Sequence, residues 1–209
     1  EDCLLVKSGN RLAAVVCRAG FRWEVSEAVG QVILRGQSGT ECRAAVLIPG
    51  GAFSEEELKG LNDTDLYKSF ADYWSEVMAE AALIEVPDPL LQNVIRASQV
   101  HCLMAARSEE QGRRVAPWIA SMAYGPLESE ANSIIRGMGM LGHRQFADRS
   151  LDYFIHRYSP QGFLTTGYTL MGTGWHLWTL GRQYRLTRDH EWLSARADEV
   201  ARVCGWVIE

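Results

Sequence analysis

The hydrophobic period changes once along this chain, and the change falls at Pro49-Gly50-Gly51. Before that point apolar residues come in short runs: Leu4-Leu5-Val6, Leu12 to Val16, Val32-Ile33-Leu34 and Ala44 to Ile48. Turn signals separate them, at Ser8-Gly9-Asn10, Ala19-Gly20, Gly30, Gly36 and Ser38-Gly39. Arg22 to Ser26 alternates polar and apolar and reads as a further strand. Short runs at this spacing predict an antiparallel sheet. Fifty residues of it make only part of a β-sandwich.

After the Pro-Gly-Gly break the spacing turns helical. Ser54 with Glu57 three residues on is a capping-box start. Leu66, Phe70, Tyr73, Trp74 and Val77 recur at three and four within a helix over 65–80. Val86-Pro87-Asp88-Pro89 breaks it. Further helices are predicted over 90–107, 128–141, 144–157, 173–186 and 190–208. The connections over 108–127 and 158–172 are long, and those near 142 and 188 are short. Such alternation suits helical hairpins stacked around a ring, with the long loops gathered on one face. Loops of that length in a compact domain are usually functional.

Composition narrows the functional classes. A net charge of -5 and a pI near 5.6 speak against a nucleic-acid partner. No apolar run is long enough for a transmembrane helix, so no membrane partner is expected. The five cysteines are widely spaced without a CxxC pair and read as small buried apolar residues. No HExxH, GxxxxGK[ST] or GxSxG pattern occurs, and His101 and His156 have no metal-ligand spacing. Neither metal nor cofactor is expected. Gly137-Met138-Gly139 reads as close helix packing rather than a cofactor loop. The chain starts at Glu1 rather than Met and ends inside an apolar helical pattern, so it reads as part of a longer protein.

Three stretches resemble the six-hairpin (α/α)6 glycosidase superfamily. Ala82-Leu83-Ile84-Glu85-Val86-Pro87-Asp88 leads into Pro89-Leu90-Leu91, like the family's linker helix, with Trp74 in place, and V-P-D approach to the first barrel helix. Tyr124-Gly125-Pro126-Leu127-Glu128-Ser129-Glu130 opens a helix that ends Met140-Leu141-Gly142. Gly172 to Leu180 with Tyr184 to Leu193 is similar to a G-x-x-L-W-x-L…H-Y-x-L-T-G-D-x-x-W-L hairpin, with Gln183 and Arg188 replacing the common His and Gly. The resemblance covers about 65–209, and a preceding β-sandwich is usual in the superfamily. It implies a partial β-sandwich over 1–53, a helical linker over 54–88 and the first part of an (α/α)6 barrel over 89–209.

The implied activity is glycoside hydrolysis by two carboxyl groups flanking the scissile bond. Glu128 and Glu130 are the candidate acids, with Glu130 preferred because relatives carry an acid at the matching helix start. Acidic residues in a first helical turn also serve the macrodipole alone. Trp118 and Tyr124 share a long connection, and flat rings there would stack on sugar faces. Trp175 and His176 follow Gly172-Thr173-Gly174 and form a second candidate substrate contact. Trp178, Trp192 and Trp206 read as core. The expected partner is a carbohydrate. The alternatives are a non-catalytic glycan-binding or scaffold protein, or a glycoside phosphorylase. The chain by itself is expected to be inactive on glycosides, since five barrel helices do not close a ring of about twelve.

Overall fold

The structure is a computed structural model that describes residues 2–8, 11–26, 29–39, 41–118, 125–165 and 171–209, with the backbone alone at Asp2, Ser8, Arg11, Arg18 and Ala19. It is mixed: helices plus small antiparallel sheets. Contacts divide it into two compact units, Glu1–Ser75 and Glu76–Glu209.

In the first unit, β1 (Asp2–Ser8), β2 (Arg11–Ala19) and β5 (Arg43–Leu47) form an antiparallel sheet in the order β1-β2-β5. Cys3 faces Val16 across β1–β2, and Val16 faces Ala45 across β2–β5. Ala14, Val15, Val16 and Cys17 are all buried, as befits a central strand covered on both faces. The strands β3 (Phe21–Ser26) and β4 (Gln31–Gly36) form a separate antiparallel pair, in which Trp23 faces Leu34. The helix α1 (Glu55–Gly60) starts with the expected capping box: the Glu57 amide donates to Ser54 Oγ, and the Ser54 amide donates to Glu57 Oε2. The cap aims Leu58 into the sheet, where it is buried against Ala14 and Val16. The helix α2 (Asp63–Ala79) crosses the boundary between the units and has no buried residue.

The second unit is built on three helices. These are α4 (Glu128–Met140), α5 (Arg144–Ile155) and α6 (Met171–Thr187). Their shared core holds Ala131, Ile135, Ala147, Leu151, Phe154 and Leu180. Two close approaches fix the direction of α4 against α6. A Cβ added to Gly172 would lie 2.7 Å from Glu128 Cγ, and one added to Gly139 would lie 2.7 Å from Gln183 Oε1. Start meets start and end meets end, so α4 and α6 run parallel while α5 returns between them. Gly139 therefore supplies the close packing expected of the Gly-Met-Gly stretch, whereas Gly137 faces open space.

The α4–α5 turn is held by Gly142 at φ 94°, by His143 N–H donating to Met138 O at 3.0 Å, and by Ala82 N–H donating to Leu141 O at 2.6 Å. The helix α3 (Pro89–Ala105) starts on Asp88, whose Oδ1 accepts from the amides of Leu90 and Leu91. It is tied to this turn by buried Gln99 Oε1, 2.9 Å from His143 Nε2. The short helix α7 (His190–Ser194) and α8 (Ala197–Ile208) end the chain. The segment after α5 seats on α8, with Gly162 against the Arg202 carbonyl and Phe163 against Trp206.

Several expectations are corrected. The stretch 108–127 is not all loop: β6 (Arg107–Glu109) and β7 (Arg114–Ala116) pair as a hairpin, because Val115 and Ala116 are buried beside the helices. The last helix is interrupted at Ala195-Arg196, between α7 and α8. Trp178 is not core but 44% exposed, and Trp192 and Trp206 are half-buried. Only Cys17 is buried among the cysteines, and Cys204 is exposed. The apolar stripe of α2 is exposed at Leu66, Phe70 and Tyr73.

Candidate functional site

The parallel packing of α4 and α6 brings their first turns to one end of the second unit. Glu128, the first residue of α4, is 1% exposed and lies over Gly172 in the first turn of α6. Both helices start beside its carboxylate, and unpaired amides at a helix start favour an anion. A residue larger than Gly at 172 would meet the Glu128 side chain, so the glycine makes this placement possible. One turn further on, Asn132 Nδ2 donates to the Glu128 carbonyl at 2.6 Å. Its Oδ1 is buried without a hydrogen-bond partner among the described residues.

His176 is fully buried one turn after Gly172. Its ring lies 5.4 Å edge-on from Tyr158 and 5.6 Å from Phe154. Neither ring nitrogen has a hydrogen-bond partner among the described residues. Burial alone pushes its pKa down to about 3, so it is neutral at physiological pH. The Tyr158 hydroxyl is likewise buried, unpartnered among the described residues and pushed above its usual range by burial. A neutral histidine surrounded by rings acts as an apolar spacer with two unused hydrogen-bonding atoms, not as a cation.

The described residues singled out from the sequence separate into four places. Glu128 and His176 share the α4–α6 seam. Glu130 does not: two positions on, it is turned about 200° around the helix, and it is exposed with Ser129 Oγ donating to it at 2.5 Å. Trp175 is 38% exposed and stands 6.0 Å edge-on from Trp178 on the outer side of α6. Trp118 is half-buried, packed on the core and capped by the Arg107 guanidinium at 3.8 Å. Tyr124 lies outside the described residues. Of these candidates only Trp175 lines one of the four main clefts formed by the described residues.

Sequence reasoning missed a stripe on α6. Met171, Trp175, Trp178, Arg182 and Arg185 recur at four and three, and all five are exposed. The face that packs on α4 and α5 is instead Gly172, Thr173, His176, Thr179, Leu180 and Gln183. Small and polar side chains are turned inward because the helices approach closely. Arg136 of α4 reaches across with its guanidinium 4.7 Å from the Trp178 ring. The spacing was visible, but periodicity shows which residues share a face and not which face is covered.

A cleft of about 390 Å³ lies where the end of α5, the β6–β7 turn and the start of α8 meet, lined by Arg113, Arg114, His156, Tyr158 and Arg202 among others. Its cations are partly answered internally, Arg196 forking onto Asp152 and Arg114 pairing with Glu110. Among the described residues no group of three or more His, Cys, Asp or Glu is placed to hold a metal ion. None of their helices is long and apolar enough to cross a membrane. No protein-family model matches the chain, and no curated protein sequence matches it.

Proposed function

We propose that the chain is part of a carbohydrate-active enzyme of the six-hairpin (α/α)6 type, a glycoside hydrolase. In this reading residues 1–53 belong to a β-sandwich, 54–88 link it to the helices, and 89–209 supply the first hairpins of the toroid. The observation that carries the reading is the parallel seating of α4 on α6 with α5 returning, so that the starts of both helices lie at one end. Glu128 at that end is the acid on which the proposal rests, in preference to Glu130, which faces away from the seam. Trp175, exposed and standing edge-on to Trp178, offers the aromatic face on which a sugar ring stacks. Glu128, favoured as an anion by the two helix starts, would activate water, while a second carboxyl group gives its proton to the leaving oxygen.

One observation favours non-catalytic glycan binding instead. Glu128 is shut in and Glu130 is turned away, so the described residues hold the aromatic face but no exposed acid pair beside it. A single experiment on the longer protein of which this reading makes the chain a part separates the two: titrate with neutral oligosaccharides, follow tryptophan fluorescence, and assay reducing ends in the same samples. Hydrolysis abolished by Glu128→Gln with binding retained supports the enzyme. Binding without turnover, unaffected by Glu128→Gln and lost in Trp175→Ala, supports the binding protein. No response to any saccharide sinks both.

A further inference from the structure

The groove on the outer side of the α4–α6 pair has one sign of charge. It is lined by Arg136, Arg182 and Arg185 with Met140, Thr179, Gln183 and Leu186, and none of these described lining residues is a carboxylate. None of the three arginines makes an ion pair among the described residues, and Arg136 Nε is buried without a partner there. The chain as a whole carries a net charge of -5, so this concentration of unpaired cations runs against the bulk composition. The contrast with the α5–α8 cleft is direct, since arginines there are held by Asp152 and Glu110.

The groove is linked to the tryptophan pair through Arg136, whose guanidinium lies 4.7 Å from the Trp178 ring. Trp178 in turn touches Trp175, which with Met171 and Gly174 forms a shallow surface. From Trp175 to Arg185 the stripe runs about 15 Å at the helical rise of 1.5 Å per residue. Flat apolar rings at one end and forked cationic donors along the rest suit a ligand that alternates ring faces with carboxylates. Arginine is the side chain best matched to carboxylate geometry.

We propose that this groove binds an acidic oligosaccharide, a chain of uronic acid residues, with a ring stacked on Trp175 and carboxylates held by Arg136 and Arg182. This deepens the sugar-binding reading and rests on it. Three arginines in an acidic chain fall short of the clustered basic surface a nucleic-acid strand recruits. Arg182 is exposed on the helix surface, so its replacement tests the contact without disturbing the core.

The test is a tryptophan-fluorescence titration of the full chain with trigalacturonate, maltotriose and a short oligothymidylate, repeated for Arg182→Gln and Arg136→Gln. Unchanged circular dichroism and melting show that each variant folds. The expected result is that trigalacturonate binds at least tenfold more tightly than maltotriose, that added salt weakens it, and that Arg182→Gln lowers its affinity about tenfold with maltotriose unaffected. Equal binding of the two sugars, unchanged in both variants, overturns this inference and leaves the sugar-binding reading standing. Binding of neither sugar removes both. Tighter binding of oligothymidylate than of trigalacturonate identifies a nucleic-acid groove and overturns the inference.

Discussion

His176 shows how much a single side chain's surroundings decide. In the sequence it is a histidine beside a tryptophan in a glycine-rich stretch. In the fold it is fully buried between Tyr158 and Phe154 with both nitrogens unpartnered among the described residues. Its pKa falls from the usual 6.5 to about 3, so the unfolded chain binds the proton more readily than the folded one. The stability this neutral histidine contributes is present above about pH 6.5 and is lost as pH drops toward 3. His176→Phe is expected to flatten that part of the profile, read as urea midpoints between pH 7 and pH 4. A slope identical in the variant would show that the acid sensitivity comes from other groups. Glu128 is a second such case. Its helix-start position was legible, but its burial was not, because burial depends on Gly172 of a helix forty residues on.

The helices α4 and α6 carry the element-scale lesson. Gly137 and Gly139 are indistinguishable by sequence, two glycines in one helix. Gly139 lies against Gln183 and Ala147, and Gly137 faces nothing within 4 Å. Gly137→Ala is therefore expected to stabilise the protein by up to about 1 kcal/mol through helix propensity. Gly172→Ala, whose methyl would meet Glu128 Cβ and Cγ, is expected to destabilise it by about 1–3 kcal/mol. Thermal and urea denaturation of the two variants should move in opposite directions. At the other end of the chain the capping box of α1 is legible in Ser54 and Glu57 alone, since both partners lie within one turn. Ser54→Ala is expected to cost about 1 kcal/mol, visible as a lower urea midpoint. The β6–β7 hairpin was not legible, because its three-residue strands follow from burial of Val115 and Ala116 rather than from a period.

For the molecule as a whole, the exposed apolar surface is the dominant feature. Leu66, Tyr67, Phe70 and Tyr73 on α2 are exposed, as are Leu90, Leu91, Val94 and Met104 on α3. Exposed apolar side chains on either helix drive association. Light scattering is expected to show self-association that rises with protein concentration, and Phe70→Glu with Leu91→Glu is expected to reduce it. A monomer at every concentration, with no binding of a hydrophobic dye, would refute that expectation. The sequence by itself determined the change from sheet to helix near Pro49-Gly50-Gly51, the helix starts at Ser54 and near Pro89, and the existence of α4, α5 and α6 within a few residues. Those are short-range properties: period, caps and breakers act within one or two turns. Only the tertiary structure decided that α6 turns its small polar face inward and its tryptophans and arginines outward, that Glu128 is buried while Glu130 is not, and that Arg136 completes a groove with Arg182. Close helix approach selects for small side chains at the seam, and which residues meet there depends on partners distant in the chain.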